Sequence, residues 1–330
     1  MIHQAGLHAM SIIIYNNQSF DVTAPESVLD TLLKAGVRVP YSCRAGVCHS
    51  CLMVAKDGAV PSESQEGLSD AQKSRGLFLS CSCYPAETLN VDHYDPAADG
   101  IKAPVIAKRQ LNDSVLELTL AASLRYQAGQ HTNLWRSDAI ARCYSIASIP
   151  SDPHLSFHIA LQPNGQFSQW AAQTLQPGDT VTLQAPTGNC YYQAEQNTQP
   201  ILLAGTGTGI APLQAIARAA LEAGHKGPID LFVGARHSDD LYFSQPLMRL
   251  AQQHSNFQLT ELVQTLGEKY TKHCQQGDIY NVIKARFASL NGYQVYLCGA
   301  DSFVRKLRKQ CFFAGVKPRD VHTDAFLAAS

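Results

Sequence analysis

The chain has 330 residues, of which 45% are hydrophobic and 16% charged, and carries a net charge of −1. This is a globular composition, not a disordered one, and the length suits two or three domains better than one. Near-neutrality gives no footing for nucleic acid or an anionic membrane, no apolar run is long enough for membrane insertion, and Met1–Ala9 lacks the pattern of a secretory signal.

Along the chain, Ser11–Tyr15 and Ser19–Val22 are β-rich and separated by the turn Asn16-Asn17-Gln18. Pro25 follows, and then Glu26–Ala35, whose apolar Val28, Leu29, Leu32 and Leu33 have helical spacing, with Gly36 as the stop. A cysteine-rich loop comes next, and the Asp-, Pro-, Ala- and Gly-rich stretch Asp92–Pro104 reads as a linker. Beyond it, short alternating strands at Val115–Leu120, His154–Leu161 and Thr180–Leu183, broken by turn signals, predict a small antiparallel barrel. From Pro200 the pattern alternates. Strands at Ile201–Ala204, Ile229–Val233, Leu259–Leu262 and Val295–Cys298 interleave with helices at Ala211–Ala223, Pro246–Gln253, Ile279–Leu290 and Asp301–Ala314. Such alternation predicts an α/β, doubly wound parallel sheet. The expected limits are 10–95, 102–196 and 197–330, with Met10 as an alternative start.

The charge is uneven: residues 1–95 carry ten acidic and six basic side chains, so an acidic first unit meets a mildly basic remainder. Ten cysteines without an export signal favour a reduced, cytoplasmic setting and a metal site over disulfides. Cys43, Cys48 and Cys51 form C-x4-C-x2-C, and 29 residues separate Cys51 from Cys81. This is the plant-type [2Fe–2S] spacing, in which a tight loop gives three thiolates and a distant residue the fourth. Zinc is the alternative, disfavoured because only one C-x2-C interval stands out. Gly46 lets the loop backbone approach a cluster closely, so that its amides reach the sulfurs. His49, inside the loop, is expected at the surface. The run Ser80-Cys81-Ser82-Cys83-Tyr84-Pro85 resembles plant-type ferredoxins, where Tyr-Pro follows the ligand, and this leaves Cys83 to packing.

Arg142-Cys143-Tyr144-Ser145 precedes the α/β segment, and Gly165-Gln166-Phe167-Ser168 and Pro186-Thr187-Gly188 lie between them. Gly205-Thr206-Gly207-Thr208-Gly209-Ile210-Ala211-Pro212 links a buried strand to an apolar helix and so forms a phosphate cradle. Together these motifs resemble the ferredoxin–NADP reductase superfamily over nearly the whole chain. They resemble in particular the reductase components of bacterial multicomponent oxygenases (phenol hydroxylase, methane monooxygenase and benzoate dioxygenase types) and the iron–sulfur flavoprotein reductases of deoxysugar synthesis.

The resemblance implies a β-grasp ferredoxin domain, a flavin barrel and a nicotinamide domain. It implies that Arg142 pairs with the FAD pyrophosphate, Tyr144 packs on the isoalloxazine and Ser145 hydrogen-bonds near N5. It also implies that Gly165, Phe167 and Ser168 form a phosphate loop. Gly205, Thr206, Gly207, Thr208, Gly209 and Pro212 cradle the nicotinamide cofactor, and Cys298 lies beside the nicotinamide. Asp324 and Phe326 match an acidic-x-aromatic ending, with Asp where the family more often has Glu. FAD is favoured over FMN, since an arginine placed for a pyrophosphate has no use with a monophosphate. Arg236 falls where the adenosine ribose sits and could hold a 2′-phosphate. The set of residues typical of NADPH users is missing, however, and NADH is favoured over NADPH. The implied activity is an NAD(P)H-dependent oxidoreductase: NADH reduces FAD by two electrons, and the cluster hands single electrons to an oxygenase. A deoxysugar dehydratase as acceptor, or a non-enzymatic carrier or redox sensor, is the alternative; the intact Gly205–Pro212 turn and Arg142–Ser145 argue against the last.

Overall fold

The computed structural model describes residues 11–267 and 273–327. Met10 as a start site lies outside them. Three sheets account for the architecture.

The first unit holds β1 (Ile12–Tyr15), β2 (Gln18–Asp21), α1 (Val28–Lys34), β3 (Leu52–Asp57), α2 (Asp70–Ser74), β4 (Leu77–Leu79) and β5 (Leu89–His93). Its sheet runs β2-β1-β5-β3-β4, with β1 and β5 parallel and the other pairs antiparallel. The helix α1 starts at Val28, two residues beyond the expected Glu26, because the Ser27 hydroxyl accepts the Asp30 amide at 3.1 Å and caps it. It stops before Gly36, whose φ of +80° suits glycine. Val28, Leu29 and Leu32 bury its inner face against the sheet.

The second unit begins inside the stretch expected to be a linker. A short α3 (Pro96–Asp99) leads directly into β6 (Ile101–Asn112), the longest strand of the barrel. The Asp- and Pro-rich composition that suggested a linker is instead a helix cap: Asp95 accepts the Ala97 amide at 2.7 Å and Pro96 sits at the first helical position. β7 (Val115–Leu120), β8 (His131–Ser137), β9 (Ile140–Ser145), β10 (Leu155–Ala160), α4 (Gln166–Gln173) and β11 (Thr180–Leu183) follow. The antiparallel sheet runs β10-β7-β6-β11-β8-β9, and a bridge from Ile146 to Phe157 joins its two ends into a barrel.

The third unit alternates as expected: β12 (Ile201–Thr206), α5 (Ile210–Glu222), β13 (Ile229–His237), α6 (Ser244–Gln253), β14 (Phe257–Thr265), β15 (Cys274–Gln276), α7 (Ile279–Arg286), β16 (Gln294–Ala300), α8 (Asp301–Phe313) and β17 (Val321–Phe326). All five pairings are parallel, in the order β15-β14-β13-β12-β16-β17. One apolar core lies under α5 and α6 and another under α7 and α8, so the sheet is covered on both faces. The helix expected to reach Leu290 ends at Arg286, because Phe287 turns inward to meet Phe232 and Tyr293, with centroids at 6.0 and 5.5 Å. The strand order reverses at β12/β16, and the carboxyl ends there form the crevice where open α/β sheets bind ligands. No helix among the described residues is long and apolar enough to cross a membrane.

Candidate redox site

Cys43, Cys48, Cys51 and Cys81 are buried and free of disulfides. Their thiols approach in twos, Cys43 with Cys48 and Cys51 with Cys81, each pair within hydrogen-bonding reach. Two pairs suit a binuclear cluster, where each iron takes two thiolates, better than one zinc surrounded by four ligands. Among the described residues no three His, Cys, Asp or Glu side chains converge as a single ion requires. The loop turns its amides inward through positive φ at Arg44, Gly46 and His49. The Ala45 and Cys48 amides donate to Cys43 Sγ at 3.3 and 3.4 Å, the Cys43 amide donates to Cys48 Sγ at 3.4 Å, and the Gly46 amide reaches Cys81. The residues therefore fit a cluster whose sulfurs accept backbone hydrogen bonds. Cys83 is fully buried in the core of the first unit. His49 is not at the surface: it is 8% exposed, packed near Gly67 and within electrostatic range of His131. Its burial depends on residues distant in the chain and is invisible in the loop's own sequence.

A cavity of about 1370 Å³ extends from this loop across the barrel to the third unit. Ordinary small-molecule sites occupy roughly 300–1,000 Å³, so there is room for more than one ligand. Tyr41 and Ser42, immediately before Cys43, line one end; Arg142–Ser145 line the middle; Thr206, Gly207 and Thr208 line the other end. Arg236 and Phe326 also face the cavity.

The Ser145 hydroxyl donates to Asp324 Oδ2 at 2.8 Å. Asp324 stands opposite Cys298 in the β16/β17 register. The structure thus brings Ser145, Asp324 and Cys298 together from positions scattered over the chain. Cys298 is fully buried, with its Sγ 3.7 Å from that of Cys190, and burial pushes its thiol well above the ordinary value. Cys190 was not singled out in the sequence; its signal is its place two residues beyond the Pro186–Gly188 turn.

The motif glycines divide into two groups. Gly207, with φ +55°, faces the cavity. Gly205 and Gly209 lie behind it against β16: a Cβ on Gly209 would stand 2.3 Å from the Cys298 carbonyl oxygen. Pro212 is buried in the first turn of α5. At the start of α4, capped by Gly165, the Ser168 hydroxyl accepts the Gln162 amide at 3.1 Å, and a Cβ on Gly165 would meet that hydroxyl. Phe167 is 1% exposed and lies in the barrel core between Tyr144 and Trp170, at centroid distances of 5.4 and 5.3 Å. It supports the Tyr144 ring from behind.

Three family models match the chain. The 2Fe-2S iron-sulfur cluster binding domain matches residues 13–86, the oxidoreductase FAD-binding domain 102–192 and the oxidoreductase NAD-binding domain 203–309. The ferredoxin–NAD(P)+ reductase component of a naphthalene 1,2-dioxygenase system from Pseudomonas putida is 30% identical over 321 residues, covering 94% of this chain and 96% of that protein. The chain belongs to the ferredoxin–NAD(P) reductase family with an N-terminal [2Fe–2S] domain. This reductase is also similar to the toluate 1,2-dioxygenase electron transfer component of P. putida, at 29% identity over 94% of this chain and 95% of that one. Among solved structures, the cytochrome P450 reductase GcoB of Amycolatopsis superposes with a TM-score of 0.68 and 25% identity, over 97% of this chain and 99% of that chain.

One further feature of the reductase was missed in the sequence. Asn133, on the β8 face toward the first unit, is 2% exposed and hydrogen-bonded to the cluster loop. Its own sequence context, Gln130-His131-Thr132 before it, gave no signal.

Proposed function

We propose that this reductase takes a hydride from NADH onto FAD and passes electrons singly through a [2Fe–2S] cluster to a separate oxygenase. The observation that carries it is the single cavity lined by all three units, from Tyr41–Ser42 at the cluster loop to Thr206–Thr208. The domain limits 10–95, 102–196 and 197–330 belong to this reading, and each encloses one family match.

In this reading Cys43, Cys48, Cys51 and Cys81 hold the cluster. Arg142 presents a fork of donors to the FAD pyrophosphate, and Tyr144, backed by Phe167, offers its ring to the isoalloxazine. The Thr206–Thr208 turn gives amides to the nicotinamide cofactor's pyrophosphate. Ser145 holds a proton between itself and Asp324 beside the flavin's reacting edge, and Asp324 links it to the Cys298 strand. NADH is preferred over NADPH because Asp240 lines the same cavity as Arg236, and its carboxylate disfavours a 2′-phosphate there. The similarity to dioxygenase electron-transfer components supports an oxygenase as acceptor.

The test is the visible spectrum of the purified holoprotein titrated anaerobically with NADH and with NADPH. Flavin and cluster bands should bleach with NADH at far lower concentration than with NADPH. A protein without a flavin band, or one indifferent to both nucleotides, refutes the proposal.

A further inference from the structure

Strands β8 and β9 run antiparallel, with His131 opposite Ser145, Asn133 opposite Cys143 and Trp135 opposite Ala141. Because side chains alternate along a strand, these six share one face, and Arg142 and Tyr144 take the other. The first unit covers the Asn133–Trp135 part of the shared face, while Ser145 meets Asp324 of the third unit. Trp135 and Ala141 are part of its core, and Trp135 meets Tyr94 at a centroid distance of 5.8 Å.

At the centre of the face, the Asn133 carboxamide is fully engaged. Its Nδ2 donates to the Cys48 carbonyl at 2.8 Å and to Gln184 Oε1 at 2.6 Å, and its Oδ1 accepts from the Ser50 hydroxyl at 2.5 Å. Asn133, Ser50 and Gln184 are 2%, 0% and 7% exposed, so water does not compete for these bonds. Cys143 lies beside Asn133 on this face, within electrostatic range of both Cys43 and Cys48. Cys143 is also the second residue of the Arg142–Ser145 motif, so one short peptide carries Arg142 and Tyr144 on one face and meets the cluster loop on the other.

We infer that Asn133 is the positioning residue for electron transfer within the chain. It pins the peptide of Cys48 and Ser50 over Cys143, so that the Arg142–Ser145 segment and the cluster loop form one fixed bridge. Each crossing moves one electron, oxidising the flavin side and reducing the cluster side. No bond at Asn133 forms or breaks. The inference rests on the function proposed above, and its novelty lies in assigning the geometry of the crossing to a side chain that touches neither cofactor.

The test uses holoprotein carrying Asn133→Leu, which keeps the branched four-atom shape and removes all three hydrogen bonds. Three readouts are taken: flavin bleaching by NADH in a single turnover, the following appearance of reduced cluster, and hydrogen exchange of the amides in 45–52. Flavin bleaching, cluster content and cluster midpoint potential should match the parent. Cluster reduction should slow about tenfold and the loop amides should exchange faster, as expected when a buried network loses its hub. Gln184→Leu, which leaves the cluster loop's own bonds to Asn133 in place, should slow the same step by about threefold and serves if Asn133→Leu does not fold. Parent-like cluster reduction and exchange in the variant that folds overturn the positioning role while leaving the functional proposal intact. A parent protein whose cluster is never reduced by NADH overturns both.

Discussion

Gly209→Ala separates two opposing physical effects within one residue. Gly209 has φ −60° and ψ −17°, a helical conformation that alanine adopts freely. On backbone grounds alone, replacing it restricts the unfolded chain and stabilises by about 0.4–1 kcal/mol. The surroundings argue the other way. The new Cβ would stand 2.3 Å from the Cys298 carbonyl oxygen, 2.5 Å from its carbon and 2.8 Å from the Gly299 nitrogen. These are backbone atoms of β16, paired on both sides by β12 and β17, so they cannot step aside singly. Overpacking of this kind costs about 1–3 kcal/mol, and the turn must lift away from β16. Gly207→Ala is the control: nothing lies within 4 Å of its Cβ, so only the positive φ is penalised, by about 1–2 kcal/mol. Thermal unfolding and NADH titration of both variants should show Gly209→Ala destabilised and weakened in nucleotide binding, because the turn and the Cys298 strand no longer close on each other. A Gly209→Ala protein that melts at or above the parent temperature would refute the close approach.

Three other expectations follow from the same geometry. Cys81→Ser should abolish the cluster's visible bands, whereas Cys83→Ser should keep them; iron content per chain distinguishes the two, and equal loss in both would count against Cys81 as the ligand. Asp324→Asn weakens a charge-assisted bond to Ser145 worth about 1.5–3 kcal/mol, so single-turnover flavin reduction should slow about 10- to 100-fold with FAD content unchanged. His225 and His322 are both held below their ordinary pKa by burial. The folded state therefore binds fewer protons than the unfolded one, and stability is complete above the ordinary histidine value of about 6.5 and falls as pH drops below it. Melting temperature should be flat from neutrality upward and decline in acid, with a shallower decline in His322→Gln.

The sequence carried the local signals well and the distant ones poorly. The strand-glycine-helix unit at Ile201–Glu222 and the Gly36 stop after α1 announce themselves because their physics is contained within a few residues. Asp92–Pro104 misled because the residues that build a linker also cap a one-turn helix, and β6 starts straight after it. The strand β17 was hidden because its parallel partner β16 lies across a whole helix, and that register puts Asp324 beside Cys298. His49 was misplaced for a similar reason: it packs near Gly67 and lies within electrostatic range of His131, both distant from it in the chain. Motif reading found side chains that line the cavity, such as Arg142 and Tyr144, but not Asn133 or Cys190, whose partners are parts of the protein itself.

Trp135 and Ala141 belong by sequence to the barrel and by packing to the core of the first unit. Excising the first unit would therefore expose apolar surface on both halves and strip Asn133 of its bonds to Cys48 and Ser50. The two units should melt in a single cooperative step, while the nicotinamide unit, with cores of its own, is free to open independently. A protein whose parts look interchangeable on a domain diagram has thus given up part of its modularity: a replacement ferredoxin would have to bring a surface shaped for that tryptophan.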